Sequence, residues 1–357
     1  MVQKVKSIFI KNFLESGDVN WDIKDVNVLV GKNGSGKSTI LQIIKSTVLD
    51  EYDFDILNRC SGVQVYFESQ NEELENVLFS PEILSESYTN AYVKENYSEL
   101  KNSILVKENP KEILSPIIND QIKEINNNII KNEHNFFNFE DLKDEKGNID
   151  DEKLKNIFNE YFKLSFKTDT LVKGINKIVN KNKVKLNVEY ISTINMTANS
   201  ISNIQKSDGT FASFLDYEII EEFNKILSSE NSKENIDKLI ISLNSMFNES
   251  NKEVFIKHNK LFFRLRNKKN IDYKELSSGE RQLIYIFTKV LNALENNALI
   301  LMDEPEISLH LSWQEKLISE IRKLNNKSQI IIVTHSPAIV MNGWMDSFID
   351  IKDIIEQ

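Results

Sequence analysis

The chain has 357 residues, of which 40% are hydrophobic and 27% are charged, and its formal net charge is −10. This balance is typical of a globular protein with a sizeable core, and the acidic total argues against a protein that simply coats DNA. Cys60 is the only cysteine, which excludes a disulfide framework and a zinc site built on paired cysteines. No stretch resembles a signal peptide or a membrane span, so we expect a soluble cytoplasmic protein with no membrane partner.

A strand, a glycine-rich loop and a helix follow one another near the N-terminus. Residues 26–30 (VNVLV) are a β-branched run typical of a buried strand, GKNGSGKST follows at 31–39, and ILQIIK has helical periodicity. This is G-x-x-x-x-G-K-[ST] in its required context. The backbone N–H groups can face phosphates, Lys37 can reach the β- and γ-phosphates, and Ser38 can bind Mg²⁺. We predict that a nucleoside triphosphate is bound by Asn33, Gly34, Ser35, Gly36, Lys37, Ser38 and Thr39.

The middle of the chain changes in character. Residues 61–68 (SGVQVYFE) alternate like a strand at a sheet edge. From about residue 81 to 185, Glu, Lys, Asn and Ile recur at helical spacing, which predicts a helical insertion. A strand pair is predicted near residues 253–267, where Arg264 and Arg266 could touch phosphate, although a salt-bridged strand is the favoured interpretation.

Ser277, Ser278 and Gly279 immediately precede a strongly helical run. Ser is a good N-cap, and the start of a helix offers backbone N–H groups and a partial positive charge. The segment therefore fits a second anion-binding site, although a capped surface helix is the favoured interpretation of this segment by itself.

Two apolar strands near the C-terminus end in residues suited to phosphoryl transfer. Residues 298–305 (ALILMDEP) place Asp303 where P-loop enzymes hold Mg²⁺, and Glu304 where it can orient or deprotonate the attacking water. Residues 329–337 (QIIIVTHSP) deliver His335 at a strand end, where ligands bind in open α/β sheets. We predict that Glu304 and His335 are catalytic and that Ser38 and Asp303 bind the metal.

Together these segments resemble the ABC-type ATPase family. GKNGSGKST resembles its Walker A motif, LSSGERQ its signature, LILMDEP its Walker B motif with the catalytic Glu, and VTHSP its His switch. The resemblance implies an α/β ATPase head, with a mixed sheet flanked by helices, that uses ATP and Mg²⁺. It also implies that Ser277 and Gly279 of one subunit cap the γ-phosphate of ATP in another, which gives a head-to-tail dimer or a higher homo-oligomer.

The expected organisation is an N-terminal lobe of the ATPase head with Walker A over 1–80, a helical insertion over 81–185, and a C-terminal lobe with the other motifs over 186–357. The first strand and the DEPE-x-x-LH form, with His310 where transporters usually carry Asp, resemble the RecF, SMC and OLD-like branch. A strand over 187–195 leads to the equivalent of the Q-loop, for which Asn195 and Gln205 are candidates. The insertion is too short for the long arm of Rad50 or SMC.

Residues 190–219 resemble ATPases of bacterial anti-phage systems, AriA of PARIS most and PtuA of Septu less. That resemblance implies a separate effector nuclease or toxin, which the ATPase holds silent, and a phage-encoded trigger protein. The chain itself shows no nuclease cluster, and only about 20 residues follow the His switch, so we expect the effector to be another chain.

Two other functions are left open by the sequence. A RecF- or Rad50-like repair or recombination ATPase would need a basic groove and salt-dependent affinity for DNA, against which the acidic total counts. A transporter subunit is disfavoured by the first strand and by the long gap between Walker A and signature. Whether DNA is bound is not decided by the sequence.

Overall fold

The computed structural model describes residues 4–49, 51, 53–68, 74–79, 153, 184–192, 203–205, 211–267, 269–271, 273–295 and 298–356. The strands in these ranges are β1 (Val5–Lys11), β2 (Asp18–Asp22), β3 (Val26–Val30), β4 (Gly62–Phe67), β5 (Leu74–Phe79), β6 (Val188–Ser192), β7 (Asn203–Gln205), β8 (Phe211–Ser213), β9 (Lys252–Lys257), β10 (Lys260–Leu265), β11 (Asn270–Ile271), β12 (Leu299–Asp303), β13 (Ile330–Thr334), β14 (Phe348–Asp350) and β15 (Ile355–Glu356).

The α-helices in the same ranges are α1 (Lys37–Leu49), α2 (Phe54–Leu57), α3 (Phe214–Ser228), α4 (Ser232–Phe247), α5 (Ser278–Glu295), α6 (Leu311–Leu324) and α7 (Ala338–Met341). Short 3₁₀ helices cover Phe13–Glu15, Asn248–Ser250, Tyr273–Glu275, Met345–Ser347 and Ile351–Asp353.

The central element is a parallel sheet with the strand order β14, β3, β13, β12, β6. Every residue of β12 and of β13 is buried, as expected for β-branched and aliphatic strands covered on both faces. Because the strands of this sheet are parallel, their carboxyl ends lie at the same edge. Val30 of β3 lies beside Thr334 of β13, and Asp303 lies beside both Val333 and Ser192.

Successive residues of this sheet face two different hydrophobic cores, because side chains alternate along a strand. Ile300 and Met302 pack with buried residues of α4, α5 and α6. Leu299 and Leu301 pack on the opposite face with buried residues of α1 and of the second sheet. The parallel sheet is thus a middle layer, and burial on both faces fixes its register.

The second sheet is antiparallel, with the order β15, β2, β1, β4, β5. The alternation of residues 61–68 correctly predicted a strand, but its placement at a sheet edge was wrong. β4 is internal, because β1 pairs with one of its sides and β5 with the other. Asn76 of β5 accepts from the backbone N–H of Val184 and donates to its carbonyl, at 2.9 and 3.0 Å.

The predicted strand pair over 253–267 is confirmed as the β9–β10 hairpin. Its turn uses His258 and Asn259 with φ of 50° and 57°. Arg264 donates two hydrogen bonds of 2.8 and 3.0 Å to Glu253 across the hairpin, which confirms the favoured interpretation of a salt-bridged strand.

The α/β class, with sheets flanked by helices, is confirmed, and parallel and antiparallel strands occupy separate sheets. The predicted helical insertion lies almost wholly outside the described residues. None of the described helices is long and apolar enough to cross a membrane.

Candidate functional site

The loop between β3 and α1 has the backbone geometry that its glycines predict. Gly34 and Gly36 have φ of 77° and 91°, a backbone region that residues with a Cβ rarely adopt. A Cβ at Gly36 would also lie 2.7 Å from the side chains of Phe13 and Leu14. The loop is therefore closely packed against the 3₁₀ helix that follows β1, and a larger residue at Gly36 would displace it.

Lys37 is the first residue of α1 and is 4% exposed. Its Nζ lies 3.0 Å from the carbonyl oxygen of Gly31 and 3.2 Å from that of Lys32. It also lies 3.2 Å from Nε2 of His335 and 3.9 Å from Oε1 of Glu304. Burial lowers the pKa of Lys37, and the neighbouring carboxylates oppose that shift. The structure thus brings the Walker A lysine together with both predicted catalytic residues.

Ser38 and Asp303, the two predicted metal ligands, are in direct contact. Oγ of Ser38 donates a hydrogen bond of 2.8 Å to Oδ1 of Asp303, and the hydroxyl of Tyr190 donates one of 3.1 Å to Oδ2. Burial and the Asp303 carboxylate raise the pKa of Tyr190, so its hydroxyl stays a donor. Sequence reasoning predicted the strand that carries Tyr190 but missed its role, because the contact follows from the register of β6 against β12.

Glu304 and His335 also lie together. Nε2 of His335 is 2.7 Å from Oε1 of Glu304, and the backbone N–H of His335 donates to Oε2 at 3.2 Å. Burial raises the pKa of Glu304 to about 8, the neighbouring Glu306 adds to the effect, and Lys37 opposes it. The backbone of Glu304 is left-handed, with φ of 50°, which turns the chain sharply at the end of β12.

Glu306 is a site residue that sequence reasoning missed. It is 7% exposed and accepts hydrogen bonds from Oγ1 of Thr334 and from the backbone N–H groups of His335 and Ser336. The available signal was a further acid three positions after Asp303, in the sequence DEPE. Arg59 was missed as well, and its Nη1 donates to Oγ1 of Thr39 at 3.1 Å.

Of these groups, Ser38, Glu304, Glu306 and His335 border a cavity of about 720 Å³. Its volume is in the range of sites for small molecules and cofactors. The Oγ of Ser35 is buried and has no hydrogen-bond partner within the described part of the chain. The residues lining the cavity are Asn33, Gly34, Ser38, Glu304, Glu306, Ile307, His335, Ser336 and Pro337.

Ser277, Ser278 and Gly279 do not line this cavity. Ser277 is exposed and caps α5: its Oγ accepts from the N–H of Glu280 at 3.2 Å, and its own N–H donates to Glu280 at 2.8 Å. This reciprocal pair is a capping box. A Cβ at Gly279 would lie 2.4 Å from the carbonyl oxygen of Ser308, so the glycine allows α5 to approach the loop after β12.

The structure describes some of the remaining predicted positions and not others. His310 precedes α6, is exposed, and its Nδ1 lies 3.0 Å from Oγ of Ser312. The strand predicted over 187–195 is confirmed as β6. Asn195 lies outside the described residues, and for Gln205 the structure gives only the backbone of β7, so neither Q-loop candidate is tested.

The donor atoms present fit Mg²⁺ and a triphosphate. A hydroxyl and a carboxylate, the oxygen ligands that Mg²⁺ prefers, already lie 2.8 Å apart at Ser38 and Asp303. Lys37 and the start of the 13-residue helix α1 supply positive charge at the same place. Three or more His, Cys, Asp or Glu side chains that could jointly hold a metal are not found among the described residues.

Three relatives share short segments with this chain. The Septu protein PtuA of Bacillus thuringiensis is 34% identical over 92 residues, which is 22% of this chain and 23% of that protein. The retron Ec83 probable ATPase of Escherichia coli is 27% identical over 85 residues, 21% of this chain and 16% of its own length. The retron Vc95 probable ATPase of Vibrio cholerae serotype O1 biovar El Tor is 24% identical over 159 residues, 34% of this chain and 31% of its own. The chain thus spans less than a third of each relative's length.

The SMC head domain from Thermotoga maritima is similar at a TM-score of 0.45 and 12% identity, covering 95% of this chain and 92% of that one. The family described as AAA ATPase domain matches residues 4–340, nearly the whole chain. The match includes the glycine-rich loop, Asp303 and Glu304 at the end of β12, and His335. The chain therefore belongs to the AAA ATPase domain family.

Proposed function

We propose that the chain binds ATP with Mg²⁺ and hydrolyses it, with Glu304 as the general base and His335 as a contact to the γ-phosphate. The observation that carries the proposal is the convergence of Lys37, Glu304 and His335, within 3.9 Å of one another, beside the hydrogen-bonded pair of Ser38 and Asp303. Phosphoryl transfer depends on positioning and electrostatic stabilisation more than on covalent chemistry, and these residues supply both.

Each residue has a distinct task in this proposal. The N–H groups of the loop and the ammonium of Lys37 bind the phosphate oxygens, while Ser38 and Asp303 hold the metal. Bound Mg²⁺ would neutralise charge on the β- and γ-phosphates. Glu304 orients the attacking water and accepts its proton. The ring of His335 contacts both Lys37 and Glu304, so its position affects both of these side chains.

We further propose that two chains assemble head to tail around ATP. Ser277 is exposed at the start of α5 and does not line the cavity of its own chain. A helix N-terminus is a ready anion site, and the γ-phosphate of a second subunit is the anion that the family resemblance implies. The assembly would place two ATP molecules between two subunits.

The biological role that we propose is control of a separate effector nuclease or toxin in anti-phage defence, triggered by a phage protein. Its support is the similarity to the Septu protein PtuA and to two retron ATPases, together with the resemblance of residues 190–219 to AriA of PARIS. ATP would act as a conformational clamp, because a ligand shifts an equilibrium by its differential affinity for two states.

The test has two stages. First, phosphate release is measured for the wild type, for Lys37→Ala, and for Lys327→Ala, an exposed lysine on the α6–β13 loop, as the control. We expect Lys37→Ala to lower kcat roughly a hundredfold or more, and the control to leave it unchanged. A wild type without ATPase activity would overturn the proposal.

Second, tagged Glu304→Gln protein is purified after expression with its neighbouring genes, and the retained proteins are identified by mass spectrometry. A stoichiometric nuclease or toxin supports the defence role. Recovery of recombination proteins or DNA without such an effector would contradict it and favour a repair ATPase.

A further inference from the structure

Glu306 is a buried acid beside the cavity, and its environment is asymmetric. Its Oε1 accepts three hydrogen bonds from three consecutive residues: from Oγ1 of Thr334, from the N–H of His335 at 3.1 Å and from the N–H of Ser336 at 3.3 Å. Its Oε2 is buried without a hydrogen-bond partner among the described residues. A buried carboxylate is costly unless it is hydrogen-bonded, and the three bonds to Oε1 offset that cost for one of its two oxygens.

The three donors belong to the turn that carries His335. β13 ends at Thr334, and the imidazole of the next residue reaches Glu304 at 2.7 Å. Two of the donors are backbone N–H groups beyond the end of β13, and each is shared with a second acceptor. The N–H of His335 also donates to Oε2 of Glu304 at 3.2 Å, and the N–H of Ser336 also donates to Oγ1 of Thr334 at 2.9 Å. Ser336 is also tied to α6, through a hydrogen bond of 2.7 Å from its Oγ to Gln314.

We propose that Glu306 is a positioning residue for hydrolysis: by holding the backbone of 334–336 it fixes the imidazole of His335 against Glu304 and Lys37. This inference rests on the proposed ATPase function. Glu306 follows Glu304 by two positions, so one short loop carries both the base and the anchor of its histidine partner. Any movement of the 334–336 turn would change the distance between the histidine and the base.

Two substitutions separate positioning from direct chemistry. Glu306→Gln keeps an acceptor oxygen for the three donors and removes the charge, whereas Glu306→Ala removes the acceptor. We expect Glu306→Ala to lower kcat roughly tenfold to a hundredfold with little change in KM, as for supporting groups displaced by about an ångström. We expect Glu306→Gln to retain most of the activity. Equal damage from both variants would overturn the positioning role and make the charge of Glu306 the functional feature.

Glu320 offers a matched control. It is 3% exposed on α6, one oxygen accepts from Oγ of Ser245 and from Nζ of Lys323, and the other has no partner among the described residues. It does not line the cavity. Glu320→Ala should lower the Tm and leave kcat unchanged. A similar fall of kcat in both alanine variants would show a general structural effect and contradict the proposal.

NMR spectroscopy tests whether Glu306 positions His335 without relying on ATP hydrolysis. The chain has four histidines, so histidine-labelled protein gives few resonances, and His335→Gln assigns the one of interest. Glu306→Ala should shift the His335 resonance alone, and Glu306→Gln should not. If Glu306→Ala does not fold, Thr334→Val is the second variant: it removes one of the three donors to Glu306 and also the acceptor that the Ser336 N–H contacts at 2.9 Å. It leaves the other two donors in place and should shift the same resonance by a smaller amount.

An unshifted His335 resonance in folded Glu306→Ala or Thr334→Val protein would overturn the inference. A wild type that hydrolyses no ATP would remove the proposed function, while the resonance would still decide whether Glu306 positions His335.

Discussion

Oγ of Ser38 donates a hydrogen bond of 2.8 Å to Oδ1 of Asp303, although 265 positions separate the two residues in the chain. Ser38 lies in the first turn of α1, and Asp303 is the last residue of β12. The contact exists because β3 and β12 both flank β13 in one parallel sheet and end at the same edge. It places the two proposed metal ligands within hydrogen-bonding distance of each other.

Glu304→Gln should bind ATP and hydrolyse it roughly 10²- to 10⁴-fold more slowly, because the amide cannot accept the proton of the attacking water. Single-turnover hydrolysis and the Kd for a fluorescent ATP analogue measure the two effects separately. Glu221→Gln, at an exposed position of α3, is the control and should behave as wild type. Wild-type turnover by Glu304→Gln would show that Glu304 is not the base.

Ser277→Arg, introduced into the Glu304→Gln background, should prevent ATP-dependent dimerisation without weakening ATP binding. The arginine would occupy the exposed start of α5, which we propose faces the partner's ATP, while the cavity of its own chain is unaltered. Analytical ultracentrifugation with and without ATP measures the association. Ser228→Arg, at the exposed end of α3, should still dimerise. An unimpaired dimer of the Ser277→Arg protein would refute the head-to-tail arrangement.

Tyr190→Phe should weaken metal binding at Asp303 roughly tenfold, because groups that hydrogen-bond to a metal ligand fix its orientation. The measurement is a Mn²⁺ titration of the ATP-bound protein, accompanied by the Mg²⁺ concentration that gives half-maximal activity. Tyr217→Phe, whose tyrosine is 45% exposed on α3, is the matched control. The same Mn²⁺ affinity in both variants would leave Tyr190 with a structural role alone.

Glu280→Gln should lower the free energy of unfolding by about 1–3 kcal/mol near neutral pH, since a buried charge-assisted pair is lost. Burial alone would raise the pKa of Glu280, but hydrogen bonds from Nζ of Lys252 and the N–H of Ser277 outweigh it and hold the pKa below its ordinary value of 4.5. A carboxyl with a lowered folded-state pKa stabilises the protein above that ordinary value and loses the effect as the pH falls.

The difference in stability between wild type and Glu280→Gln should therefore be constant above about pH 4.5 and shrink below it. Urea unfolding at several pH values measures it. Glu253→Gln, which breaks an exposed pair with Arg264, is the control and should change stability little. A pH-independent difference for Glu280→Gln would show that its charge is not what stabilises the start of α5.

The sequence alone was sufficient to select the candidate site residues whose signals are local. A glycine-rich loop between a strand and a helix identified Lys37 and Ser38, because the backbone conformation of that loop is set by its own residues. The buried strands that lead to Asp303 and His335 were recognisable because a continuous run of β-branched and aliphatic residues is typical of a buried strand. The α/β class followed from the same runs.

The tertiary structure decided which side chains meet. Tyr190 reaches Asp303 only through the pairing register of β6 with β12, and β4 proved internal because β5 pairs with its other side. Glu306 was visible as an acid, but its part in holding the turn at His335 depends on how β12 and β13 lie side by side. The local residue pattern predicts the conformation of a segment. Contacts between distant segments depend on sheet register and on burial against two cores, and no single segment determines these.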